Sequence, residues 1–148
     1  MLKDVFLPEG MSRVIQLAIA PVFLLTAIGT LLGVMITRLH RIIDLAREWE
    51  TKLVSELQTY EVDYHKSHLA ILSRRAKLIG RAITFCTAAA LIICTLIAVL
   101  FIDQFVHLDI TVLVAVLFIV VMVSLVVGLL SFLREIYVAT SNLRIGPH

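Results

Sequence analysis

The chain has 148 residues, 60% of them hydrophobic, with thirteen Lys and Arg against eleven Asp and Glu for a formal net charge of +2; its mean hydropathy is +1.01. A soluble domain is closer to half apolar, so the composition excludes an ordinary soluble globule. The net charge says little by itself, and its distribution along the chain says more; no nucleic-acid partner is expected. Three windows, Val14–Thr37, Ala82–Ile102 and Ile110–Leu133, carry no charged residue. Each exceeds the roughly 20 residues that a helix needs to cross the hydrocarbon of a bilayer. The expected class is therefore all-α, an integral membrane protein with three transmembrane helices.

Residues 1–13 form a short tail with Lys3 and Arg13. The first span, 14–37, is too long for the apolar core of a cleaved signal peptide, and "TRLHRIID" follows it as a stop-transfer flank. It carries a stripe of small and polar residues: Thr26, Gly29, Thr30, Gly33 and Thr37. Gly29 and Gly33 form a GxxxG pair, which lets helix backbones approach closely. The stripe is the expected face for a homo-oligomer, or for the lining of a narrow pore. Pro21 is expected to kink this span or loosen its backbone bonds.

Residues 38–81 are charged, yet no Gly or Pro occurs between Val34 and Ile79. Apolar residues recur in steps of three and four: Leu39, Ile42, Ala46, Trp49, Leu53, Leu57 and Tyr60, then Leu69, Leu72, Ala76 and Ile79. This is the seam of a coiled-coil-like helical hairpin. The first arm continues the first span without a break. The turn is expected in "TYEVDYHKS", Thr59–Ser67, with Ser67 capping the returning helix. The base of the hairpin is a basic collar of Arg38, Arg41, Arg47, Arg74, Arg75, Lys77 and Arg81, opposed only by Asp44. Such a collar suits the anionic headgroups of a bilayer. The far end is acidic, with Glu48, Glu50, Glu56, Glu61 and Asp63, and could attract cations. Trp49, Tyr60 and Tyr64 are candidate anchors for a docking partner or members of the seam. His65, His68 and Glu61 make a weak candidate metal site, since two histidines at this spacing lack a further strong ligand.

The second span, 82–102, holds Cys86 and Cys94. Eight residues apart on one helix, they cannot bridge each other, and they read as small apolar fillers. A loop at 103–109, a third span at 110–133 with Ser124, Gly128 and Ser131, and a tail at 134–148 complete the chain. Nine of the thirteen Lys and Arg lie in 38–81 and two more in the tail, against two in residues 1–13 and none in the loop. The positive-inside rule then places the N-terminus outside and the hairpin and C-terminus in the cytoplasm.

The strings "AIAPVFLLTAIGTLL", "TRLHRIID", "RRAKLIGRAI" and "FLREI" resemble a family of small bacterial membrane proteins classified only as a domain of unknown function. The resemblance covers roughly Val14 to Arg144. It implies a multi-pass protein of the bacterial inner membrane with about three spans, no assigned activity and no catalytic residues. It also draws attention to Arg38, Arg41, Asp44, Arg74, Arg75, Arg134 and Glu135, all at the cytoplasmic boundary. We expect a polar network there, with Asp44 paired to Arg74 or Arg75, and Glu135 to Arg38, Arg41 or Arg81.

No span contains Asp, Glu, Lys, Arg or His, the residues that mark proton relays and transport sites. There is no Gly-rich phosphate loop and no CxxC. No enzyme activity and no cofactor are expected. The remaining readings are a homo-oligomeric ion channel or pore, and a non-catalytic scaffold that docks partners through its cytoplasmic hairpin.

Overall fold

The computed structural model describes Glu9–Ser55, Val62–Val106 and residues 110–141, with side-chain surroundings for Met11–Lys52, Lys66–Asp103 and 110–141. It contains three helices and, among the described residues, no strand: α1 (Glu9–Ser55), α2 (Val62–Val106) and α3 (Thr111–Ser141). All three are long and apolar enough to cross a membrane. In hydrocarbon no water is present to satisfy a backbone amide, and a helix is the structure that satisfies them all within one segment.

The 47 residues of α1 are more than twice the roughly 20 that a bilayer requires. The helix passes from its uncharged part through Arg38 into the charged arm with no interruption, as expected from the missing Gly and Pro. Pro21 lies inside α1 and is buried. Its ring leaves the Leu17 carbonyl without the usual helical donor, but the helix continues on both sides.

One helix end differs from expectation, and two helices run beyond the expected spans. Ser67 lies within α2, which begins at Val62, so it does not cap the returning helix. That helix also runs on to Val106, past Asp103 where a loop was expected to start. Likewise α3 continues through Arg134 to Ser141, into the expected tail. In each case a few polar residues, with no Gly or Pro among them, do not end the helix. Position 56–61, the rest of the expected turn, lies outside the described residues, as do the side chains of Leu53, Leu57, Tyr60 and Tyr64.

The helices form two compact units. One joins the α1 residues up to Leu31 with Phe85–Val126. Its core is Val14, Ala18 and Ile28 from α1, Cys86, Ala89, Ile93 and Leu96 from α2, and Val121 and Leu125 from α3. The α2 members recur in steps of three and four, and several are small. Between them, Ser124 Oγ donates to the Phe85 carbonyl at 2.9 Å. The other unit joins Leu32–Thr84 with the α3 residues from Val127. Its core contains Met35, Ile42, Leu72, Leu78, Ile79, Ala82 and one charged residue, Glu135.

Most apolar surface remains outside. Only 17%, 28% and 17% of the most apolar stretches of α1, α2 and α3 are buried, and Phe23, Leu91, Val112 and Ile119 are all more than half exposed. An apolar surface of this extent belongs in lipid.

Candidate functional site: a buried carboxylate between two arginines

On α3, positions Val121, Gly128 and Glu135 follow one another at steps of seven, and all three are buried. Glu135 is therefore held inward by the same periodicity that buries its apolar neighbours. It is fully buried and is the only buried charged side chain among the described residues. Two guanidinium groups, one from each of the other helices, meet it. Arg38 Nη1 donates to Oε2 at 3.2 Å. Arg75 turns both Nε and Nη2 toward Oε1, at 3.1 and 2.9 Å. The side chain of Arg75 is 23% exposed and that of Arg38 is 44% exposed. The Arg38 guanidinium also lies 5.5 Å from the centroid of Phe132, a cation–π contact.

One carboxylate between two cations leaves the cluster with an excess positive charge. Its desolvation is offset only while the pairs are intact, so loss of one partner is expected to cost several times more than the net worth of the pair. The geometry ties α1, α2 and α3 together at one point within a single unit.

The structure brings Arg38, Arg75 and Glu135 together and leaves the other expected members out. Asp44 is exposed and forms no ion pair among the described residues. The expected pair of Asp44 with Arg74 or Arg75 is not formed: Arg75 is turned inward to Glu135 and Arg74 is exposed. Nor do Arg41 and Arg81 reach Glu135. They are exposed, as are Arg74, Lys77 and Arg134.

The small-residue stripe faces outward: Thr26, Gly29, Thr30, Gly33 and Thr37 are all exposed. The three hydroxyls donate to their own helix, Thr26 to the Val22 carbonyl and Thr30 to the Thr26 carbonyl at 3.2 Å, and Thr37 to the Gly33 carbonyl at 2.9 Å. A Cβ added at Gly29 or Gly33 meets nothing within 4 Å. Gly80 on α2 is equally open, but half-buried.

Further along the arms, Trp49 stacks on His68 with ring centroids 5.3 Å apart and planes within 7°. Lys52 Nζ lies 5.2 Å from the Trp49 centroid and 2.9 Å from Glu48 Oε1. A cavity of about 250 Å³ opens between the arms, lined by Ile42, Ile43, Ala46, Leu69, Leu72 and Ala76 with Glu50 and Ser73. Glu61 and the side chain of His65, two of the three candidate metal ligands, lie outside the described residues. Among the described residues no three His, Cys, Asp or Glu side chains converge on a metal site. Cys86 is buried and Cys94 exposed.

Pairing of Glu135 with Arg75 escaped the sequence reading. The signal was present: Leu72, Arg75, Ile79 and Ala82 on α2 continue a three-four repeat that places Arg75 among inward residues.

Fold and site together define an all-helical protein with three membrane-length helices pinned by an ion-paired glutamate. Residues 18–145 match the model of a family described as protein of unknown function (DUF2721), and the chain belongs to that family. Neither the curated proteins nor the solved structures contain a match to it.

Proposed function

We propose that the protein is a non-catalytic, homo-oligomeric protein of the bacterial inner membrane, whose copies meet along Thr26, Gly29, Thr30, Gly33 and Thr37 of α1. The observation that carries this reading is the empty space around Gly29 and Gly33. A glycine inside a helix costs about 0.8–1.0 kcal/mol relative to alanine, and nothing within the subunit calls for one at either position. Lipid offers no hydrophobic drive between helices, so association depends on close approach of small residues. The distribution of Lys and Arg supports an outside N-terminus, a cytoplasmic C-terminus and cytoplasmic arms, and the three-four apolar repeat supports pairing of the arms as a coiled-coil-like hairpin.

Subunit mass by native mass spectrometry tests the assembly. The wild type is expected as an oligomer, and the Gly29→Leu/Gly33→Leu variant as a monomer that still inserts. Gly80→Leu serves as the comparator and should leave the oligomer intact. An unchanged mass in the Gly29→Leu/Gly33→Leu variant removes the reading.

Cation conduction is a second reading, favoured by the hydroxyls of the same stripe. Each hydrogen is directed back to the helix, so the oxygen lone pairs face outward, an acceptor surface suited to cations. Conduction requires a ring of four or more copies with the stripes toward a common axis. Ion flux into liposomes that falls with Thr30→Leu supports it, and absence of flux in the wild type removes it while leaving the oligomer standing.

A further inference from the structure

Arg38 has five N–H donors, and Glu135 accepts from one of its nitrogens. The side chain is 44% exposed, and among the described residues its other N–H groups donate to nothing, so they are open to an outside acceptor. Their level in the membrane is set by their neighbours. Toward the uncharged part of each helix lie exposed apolar residues, Val34 and Ile36 on α1 and Leu130 and Leu133 on α3. Toward the arm lie exposed charges, beginning with Arg41. Tyr137, on α3 just beyond Glu135, is 73% exposed, an aromatic of the kind that settles at the headgroup level. Arg38 thus stands where hydrocarbon gives way to phosphate.

We propose that Arg38 and Arg41 hold the phosphodiester of an anionic glycerophospholipid. Three positions apart on one helix, the two guanidiniums share a face, and planar guanidinium forks match phosphate oxygens two at a time. Glu135 holds Arg38 in place from the inner side, and its guanidinium lies over the Phe132 ring, so little ordering remains to be done when the lipid arrives. The charge around the site selects the headgroup. Arg74, Lys77, Arg81 and Arg134 are exposed in the same unit, with Asp44 the exposed acid beside Arg41. A zwitterionic headgroup brings its own cation into this surplus, whereas an anionic one does not. Of the alternatives, free inorganic phosphate offers the same oxygens but no acyl chains to lie along Val34 and Leu133.

The test uses the full chain in detergent, delipidated and then titrated with phosphatidylglycerol, phosphatidylcholine or inorganic phosphate, with bound lipid counted by native mass spectrometry. The wild type should retain phosphatidylglycerol in preference to phosphatidylcholine, and inorganic phosphate should not displace it. Arg41→Gln touches no described ion pair, so it should weaken that preference about fivefold without lowering the thermal midpoint in plain detergent. Arg38→Lys keeps the charge near Glu135 but loses the fork, and should weaken it too. Lys77→Gln removes one charge of the surrounding surplus but no phosphate contact, and should weaken it less than Arg41→Gln does. Equal retention of the two lipids overturns the proposal. So does a preference that survives Arg41→Gln, or that falls by the same factor with Lys77→Gln, since the collar then acts only as diffuse charge. Displacement by inorganic phosphate assigns the site to the free anion and equally overturns the lipid.

Discussion

The two units hold pieces of the same three helices by different means. Around Ala18, Cys86, Ala89 and Val121 the interior is apolar and small, and one hydroxyl-to-carbonyl bond, from Ser124 to Phe85, crosses between helices. Around Glu135 the interior carries a carboxylate bonded to two guanidiniums. Apolar side chains in lipid gain little from burial against each other, because the lipid tails are equally apolar, so shape must specify the contact. A buried charge specifies it by penalty, since any slip leaves an ion without its partner. The first unit is expected to tolerate polar changes and resist added volume. The second should show the reverse.

Four single substitutions and one triple replacement test this contrast, taken from the largest effect down. Glu135→Ala leaves Arg75 and Arg38 facing each other and should cost about 3 kcal/mol, seen as the largest fall in thermal midpoint in detergent. Replacing Glu135, Arg38 and Arg75 together by Met should restore much of that loss, because a paired charge and an apolar group of similar volume are often close in stability. Ala89→Leu adds volume at a fully buried position of the first unit and should cost about 1–3 kcal/mol by the same melt. Ser124→Ala removes the bond to Phe85 and should cost only about 0.6 kcal/mol, resolvable by chemical denaturation in mixed micelles. Glu48→Gln breaks an exposed pair with Lys52 on one helix, and its effect should stay within about 0.5 kcal/mol. A small loss for Glu135→Ala beside a large one for Ser124→Ala would invert the comparison.

Much of this was legible in the sequence. Three uncharged windows fixed the class, and the absence of Gly and Pro through Arg38 foretold a helix that outruns the bilayer. Periodicity named Ile42, Leu72 and Ile79 as inward residues, and they are buried. What it did not settle was direction among charges. A collar of basic residues offers many partners to one glutamate, and composition cannot say which arginine turns inward. That depends on the three-four repeat, which Arg75 satisfies and Arg74 does not. Helix ends were less legible, because the cue was polarity, while the helices carry polar residues freely as far as Val106 and Ser141. The outward direction of the Gly29–Gly33 stripe was open in the sequence, since a small-residue face packs equally well within a subunit or between copies.

The direction of that stripe carries the account of function, and cross-linking in native membranes reads it most directly. In a chain with Cys86→Ala and Cys94→Ala, a Thr30→Cys substitution is expected to give a disulfide-linked dimer on mild oxidation, because only backbones brought close together place two thiols within bonding reach. Ile119→Cys, on an exposed apolar position of α3, should remain monomeric. A dimer through position 119 with none through position 30 would show that copies meet elsewhere and contradict the account.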